Sequence, residues 1–102
     1  MAARRIIEVT PSTVYKATCD FADDIPSGGS ISTRAVVAIS SDGTTVTSTV
    51  ISSSGGSGTE ITFTFSAATD FEDYRVNARA TLASGAVLDH TLEFRCRANP
   101  IT

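Results

Sequence analysis

The chain has 102 residues, a net charge of −3, 41% hydrophobic and 19% charged residues, which indicates one globular domain rather than a disordered chain. The negative charge argues against a nucleic-acid-binding protein, which needs a basic surface. No apolar run approaches the ~20 residues that span a bilayer, so no membrane partner is expected. Two arginines near the start are not followed by the apolar core of a secretory signal, and we expect a protein made in the cytosol.

The composition favours strands over helices. Ser and Thr together number 28, whereas there are three Leu and one Lys. Thr favours strands and Ser favours turns, so the bias indicates an all-β protein.

Period-two alternation of apolar and polar residues predicts where the strands lie. They cover residues 13–21, 30–40, 44–51, 60–66, 74–82 and 87–96, with one further candidate strand near the N-terminus. Turn residues separate them at near-even spacing and no helix is predicted, while the Ser/Gly-rich run 52–58 is expected to be a mobile loop. The acidic stretch before Tyr74 is typical of the tyrosine corner of immunoglobulin-type sandwiches. The predicted fold class is therefore all-β, an immunoglobulin-like Greek-key β-sandwich of about seven strands.

The domain organisation is an N-terminal arm at residues 1–12, the β-sandwich domain at 13–98 and a C-terminal tail at 99–102. The arm supplies four candidate partner contacts, which are Arg4, Arg5, Ile6 and Ile7. The two arginines contact an acidic partner in one interpretation and form an ordinary solvated terminus in the other.

The alternation also assigns each side chain to a face of its strand. The residues expected to point inward are Tyr15, Ala17, Cys19, Phe21, Ile31, Ala35, Val37, Ile39, Ile61, Phe63, Phe65, Tyr74, Val76, Ala78, Ala80, Leu82, Leu88, His90, Leu92, Phe94 and Cys96. Val36 and Ala38 are assigned to an outer face that carries no charge after Arg34. Another copy or the N-terminal arm could cover that face, or its residues could be scattered surface aliphatics.

The register of the final hairpin follows from the pleat. Residues 74–82 and 87–96 flank a Ser84-Gly85 turn, and a two-residue loop would place inward Leu82 opposite outward Val87. The loop is therefore expected to have an odd number of residues. With three or five residues, Leu82 is predicted to pair with Leu88, and Tyr74 with Cys96.

Cys19 and Cys96 are interpreted either as buried thiols or as one disulfide that ties an early strand to the last one; without a secretion signal, thiols are favoured. The single histidine, His90, is expected inside the sheet beside Leu and Phe, as a structural residue. The acidic loop at Asp20, Asp23 and Asp24 lacks the register of a calcium-binding loop. We therefore predict no metal, no cofactor and no enzyme activity.

Two segments resemble small proteins of tailed bacteriophages. In the first, Asp20-Phe21 ends a strand and Asp24, Pro26, Gly28 and Ile31 form a D-x-P-x-G-x-x-I turn. In the second, the hairpin runs from Tyr74-Arg75 through Ala80-Thr81 to Ser84-Gly85. The match covers roughly residues 13–97, and its motifs are signatures of turns and strands.

The resemblance implies an immunoglobulin-like virion protein of the fiber–tail adaptor or neck-region type. Such a protein would be a structural part of the phage particle, made in the bacterial host cytoplasm and present in a symmetric ring or on a surface lattice. Its partners would be other virion proteins, such as portal, neck, tail or fiber proteins. The cysteines and the basic arm depart from the usual pattern; the arm could insert into a neighbouring subunit, and a disulfide could lock the assembly after release.

Two alternative functions remain open. A capsid decoration (cement) protein would have the same fold and differ in position and copy number. A host- or carbohydrate-binding module would need exposed aromatic rings; the chain has no Trp, and Phe71 is the one ring expected at the surface. Phe71 and Val36 complete the candidate partner contacts.

Overall fold

A computed structural model of the chain describes residues 6–97, which form two β-sheets packed face to face. The elements are β1 (Ile6–Val9), β2 (Tyr15–Asp20), β3 (Ile31–Ser40), α1 (Thr47–Val50), β4 (Ile51–Gly55), β5 (Glu60–Phe65), β6 (Asp73–Leu82) and β7 (Val87–Cys96), with a turn of 3-10 helix at Ala22–Asp24. One sheet has the strand order β1-β7-β6-β3 and the other β2-β5-β4. The all-β prediction is confirmed. The candidate contacts Arg4 and Arg5 and the predicted tail lie outside the described residues.

The core between the sheets is built around aromatic rings. Phe65 of β5 stacks on Phe94 of β7 with 4.1 Å between ring centroids, and Tyr74 and Tyr15 meet these rings edge-on. Edge-on and stacked contacts are the geometries that ring quadrupoles favour. The predicted inward faces of β2, β5, β6 and β7 are confirmed, because burial alternates along each strand, with one interruption in β7, where Glu93 is half-buried like Leu92.

The hairpin between β6 and β7 has an odd loop, as predicted, but its register differs by two residues. Leu82 donates to the carbonyl of Ala86, so the loop is the three residues 83–85, and Tyr74 lies opposite Phe94 rather than Cys96. Gly85 has a φ of +96° and donates to the carbonyl of Leu82. This is a turn closed by a left-handed glycine, the common geometry of three-residue hairpins.

The predicted faces of β3 are wrong beyond its first residues. The register with β6 shifts between Ile31 and Thr33, and this bulge moves the following side chains to the opposite face. Ala38 is fully buried and Val36 packs against the core, while Val37 is 40% exposed. Val36 therefore does not lie on the outer face, and the argument that made it a partner contact does not hold.

The predicted strand at 44–51 is also wrong for most of its length, and of the predicted loop at 52–58 only residues 56–58 lie outside a strand. The chain makes one helical turn at α1 and then pairs as β4 with β5 as far as Gly55. At Ala38 of β3, Thr47 takes the place of a neighbouring strand, because the Thr47 hydroxyl accepts the Ala38 N–H at 2.9 Å. β4 is extended in spite of its Ser/Gly composition because its backbone pairs with β5, and pairing outweighs weak propensity.

The N-terminal segment contributes a strand. β1 pairs in parallel with β7, with Ile6 opposite Glu93 and Val9 opposite Cys96. Val9 is buried and Ile7 packs against the core, while Ile6 is 51% exposed. Residues 6–9 of the predicted arm are thus part of the larger sheet.

Candidate partner-contact surface

The loop that joins β5 to β6 is held rigidly at one end of the sandwich. The hydroxyl of Tyr74 accepts the backbone N–H of Thr69 at 2.8 Å, and the Tyr74 ring packs edge-on against Phe65. Ala68 is buried beneath the loop. This contact has the form of a tyrosine corner, as the sequence predicts.

The loop presents Phe71, whose side chain is 77% exposed, the largest exposure among the large hydrophobic residues that the structure describes. Its backbone has a φ of +64°, in the left-handed region that bulky residues avoid. The Phe71 N–H donates to the carbonyl of Cys96 at 3.0 Å, which fixes that conformation. Residues held in strained backbone conformations cluster at functional sites.

The Phe71 ring is also positioned from one side. The guanidinium of Arg97 lies 5.6 Å from the ring centroid, at cation–π distance. Arg97 is itself held, because its Nη1 donates to the carbonyl of Cys96 and to the carboxylate of Asp73 at 3.2 Å. The exposed ring is therefore preorganised, which lowers the entropy lost when a partner binds it. We call Phe71, Arg97 and Asp73 the Phe71 corner.

Ile6, another predicted contact, lies close to this corner. It lines a shallow depression of about 40 Å³ together with Asp73, Glu93 and Arg95. Asp73 therefore belongs both to this depression and to the Phe71 corner. The structure brings Ile6 and Phe71 to one end of the molecule, while Ile7 and Val36 are half-buried and pack against the core.

The two cysteines are buried thiols and are far apart. Tyr15 contacts Phe94 and Phe21 contacts His90, so β2 and β7 run in opposite directions across the core. Cys96 lies beyond the Tyr15 end of this contact and Cys19 toward the other end. At ~3.3 Å per residue the separation is on the order of 15–20 Å, whereas a disulfide needs Cα atoms within about 7 Å. A bridge between them would require unfolding.

The environment of Cys96 lowers the reactivity of its thiol. Burial raises the pKa of the Cys96 thiol, and the negative charge of Asp70 adds to this, while Arg97 opposes it. Since the thiolate is the nucleophile, a raised pKa lowers reactivity at neutral pH.

His90 and Asp20, which were also considered for chemistry, have structural partners. The His90 ring packs against Phe21, with 4.7 Å between centroids. The Asp20 carboxylate accepts the N–H of Ala22 and the hydroxyl of Thr59, and both bonds lower its pKa. Within residues 6–97, no group of three or more His, Cys, Asp or Glu side chains is placed to hold a metal ion.

Two further surface features were not among the predicted contacts. Val14 is exposed just before β2. A trough of about 380 Å³ also runs over the outer face of the smaller sheet, lined mainly by hydroxyl-bearing side chains such as Thr18, Ser53, Thr62 and Thr64. The alternating threonines of β5 were the available signal for this trough, since residues two apart share a face.

Comparison with known proteins does not assign a family. No family model matches the chain, and no curated protein matches it. Among residues 6–97, no helix is long and apolar enough to cross a membrane.

Proposed function

We propose that the chain is a structural component of a tailed-phage virion, an adaptor at the neck or the tail–fiber junction that acts through protein–protein contacts. The Phe71 corner carries the proposal on the structural side. Phenylalanine and arginine are both enriched at the cores of protein interfaces, and arginine is among the residues that contribute most of the binding energy there. The turn at Asp24–Ile31 and the hairpin that begins at Tyr74, on which the resemblance to phage proteins rests, support the virion context.

We also propose that the sandwich is immunoglobulin-like. In that fold one sheet includes strands B, E and D and the other includes C, F and G. If β2 to β7 correspond to strands B to G, the observed order β2-β5-β4 matches the first set and β7-β6-β3 the second. Tyr74 near the start of β6 then occupies the position of the tyrosine corner on strand F.

The corner favours protein contact over carbohydrate binding. A sugar-binding ring offers its faces for stacking, and Arg97 covers one face of Phe71. The carboxylate of Asp73 keeps Arg97 in that position. An adaptor contact, in which the ring enters a pocket of a partner protein, uses the edge and the remaining face.

The test is the copy number and the position of the chain in purified phage particles. About six or twelve copies, in a ring at the neck or tail, are expected, since virion junctions are closed symmetric assemblies. Hundreds of copies on the capsid surface would support the decoration alternative instead. A chain that is found only in the soluble fraction of the lysate, and never in particles, would contradict both assignments.

A further inference from the structure

Among the residues that the structure describes, one edge of the larger sheet is only partly covered. β1 pairs with β7 from Glu93 to Cys96, and within residues 6–97 no strand pairs with that side of β7 from Val87 to Leu92. An uncovered edge presents unpaired backbone N–H and C=O groups, which recruit further strands.

The hydrogen bonds identify which groups are available. Cys96 donates to Glu72 and Leu82 donates to Ala86, so the even-numbered residues of β7 bond to β6. Arg97 donates to Val9, which places the odd-numbered residues on the β1 side. The N–H and C=O groups of Asp89 and Thr91 therefore point toward the uncovered edge.

The opposite edge of the same sheet, at β3, is protected against pairing with a further strand. β3 has a bulge after Ile31, and the groups of Ala38 are bonded to Val46 and Thr47. Arg34 reaches across the edge to the carbonyls of Glu60 and Gly58, each at 2.9 Å. Residues 87–92 of β7 have no proline, no lysine and no bulge, which are the usual protections of an edge.

We infer that this edge is an interface between two copies of the chain, whose β7 strands pair antiparallel across a two-fold axis at His90. An isologous contact requires residues that match about the axis. In this register Leu88 lies opposite Leu92 of the second copy, and each half-buried leucine covers the other. Asp89 lies opposite Thr91 of the second copy, so no two like charges face each other. The Asp89 carboxylate keeps its bond from Arg79 and the Thr91 hydroxyl its bond to Asn77 within each chain.

Neighbouring registers are disfavoured by charge. If the second β7 strand slides by two residues in one direction, Asp89 of one copy lies opposite Asp89 of the other. If it slides by two residues in the other direction, Asp89 lies opposite Glu93. Like charges placed directly opposite are destabilising in a sheet. The register centred on His90 also pairs both outward-pointing residues, Asp89 with Thr91 and Thr91 with Asp89. This inference goes beyond the proposed virion role and holds for the isolated chain whether or not that role is correct.

The experiment is sedimentation equilibrium of the full chain at about 5 to 500 µM, combined with amide hydrogen exchange. The expected result is a monomer–dimer equilibrium in which the amides of Asp89 and Thr91 become protected as the dimer fills. Leu88→Lys places a charge on the inner side of the edge and should weaken the dimer at least ~10-fold. Val37→Lys, on the outer face of β3, is the matched control and should leave the dimer unchanged.

Thr91→Pro is a second variant, which removes an edge-facing backbone donor and leaves the backbone bonds to β6 in place. Thr91→Val is its control, because it loses the same hydroxyl bond to Asn77 but keeps the backbone N–H. It should also weaken the dimer, with the fold checked by circular dichroism. A chain that stays monomeric over the whole range would overturn the inference. A dimer that forms without protection of Asp89 and Thr91 would do so too. If the full chain is monomeric and a chain lacking residues 2–5 dimerises, the edge is occupied by the chain's own N-terminus and the inference is wrong.

Discussion

Tyr74 fixes the loop that carries Phe71, because its hydroxyl accepts the backbone N–H of Thr69 at 2.8 Å across the corner. Tyr74→Phe keeps the ring against Phe65 but leaves that N–H without its acceptor. We expect the free energy of unfolding to fall by ~1–2 kcal/mol in urea titrations. Tyr15→Phe removes the hydroxyl of the other tyrosine and should cost less than ~0.5 kcal/mol. Equal losses in the two variants would show that the corner bond has no special role.

The faces of β2, β5, β6 and β7 could be predicted because apolar and polar residues alternate along them. The faces of β3 could not, since a bulge between Ile31 and Thr33 exchanges the two sides without any mark in the pattern. The hairpin shows the same limit in another form. The pleat decides whether the loop is odd or even, but registers two residues apart place the same residues inward.

The region between β3 and β5 was mispredicted for a different reason. Ser and Gly do not favour strands, yet β4 is held by backbone bonds to β5, which are independent of side-chain identity. At the candidate site, the exposure of Phe71 could be predicted by elimination, since the alternation assigns every other ring to the inward face of a strand. Its left-handed backbone and its contact with Arg97 depend on tertiary structure, and the sequence carries no local signal for them.

Arg34 links the two sheets, and its removal should destabilise the fold. Its Nε donates to the carbonyl of Glu60 and its Nη2 to that of Gly58. Arg34→Ala is expected to lower the free energy of unfolding by ~1–3 kcal/mol, because two charge-assisted bonds are lost. Arg34→Lys should recover only part of this, since an ammonium cannot reproduce the guanidinium fork. Arg95→Ala, at an exposed position of β7, is the control; an equal loss there would contradict the linking role.

The lowered pKa of Asp42 leads us to expect that the stability of the fold depends on pH. The Ser40 hydroxyl and the Thr44 N–H donate to its carboxylate, and these bonds lower the pKa of Asp42 from 3.8 to about 2. A carboxyl group whose pKa is lowered on folding stabilises the protein above the unfolded pKa and loses that effect as pH falls through the folded pKa. The difference in Tm between the natural chain and Asp42→Asn should therefore be positive at pH 6 and shrink between pH 4 and about 2. Ser40→Ala should reduce the difference; a difference that stays constant with pH would refute the assignment.

The two thiols should be protected until the protein unfolds. Both cysteines are buried, and burial raises the pKa of Cys96. We expect an aromatic disulfide reagent to label the native chain slowly and two thiols per chain to react at once in denaturant. Non-reducing mass analysis after exposure to air measures the same property. A mass that is lower by two hydrogens, with no reactive thiol, would show that the cysteines had paired.

Phe71 should be dispensable for folding and required for binding. Its left-handed backbone costs energy, and Asn tolerates that conformation better than an aromatic residue. Phe71→Asn also loses the cation–π contact with Arg97, which is worth ~0.5–1 kcal/mol at an exposed site. We expect these effects to offset, so that the free energy of unfolding changes by less than ~1 kcal/mol while incorporation into particles is lost. Ala67→Gly relieves the other left-handed residue and should stabilise the chain by ~0.5–1 kcal/mol with incorporation intact. If Phe71→Asn unfolds the domain, the ring is a structural residue. If the folded variant is incorporated normally, the ring is not the partner contact.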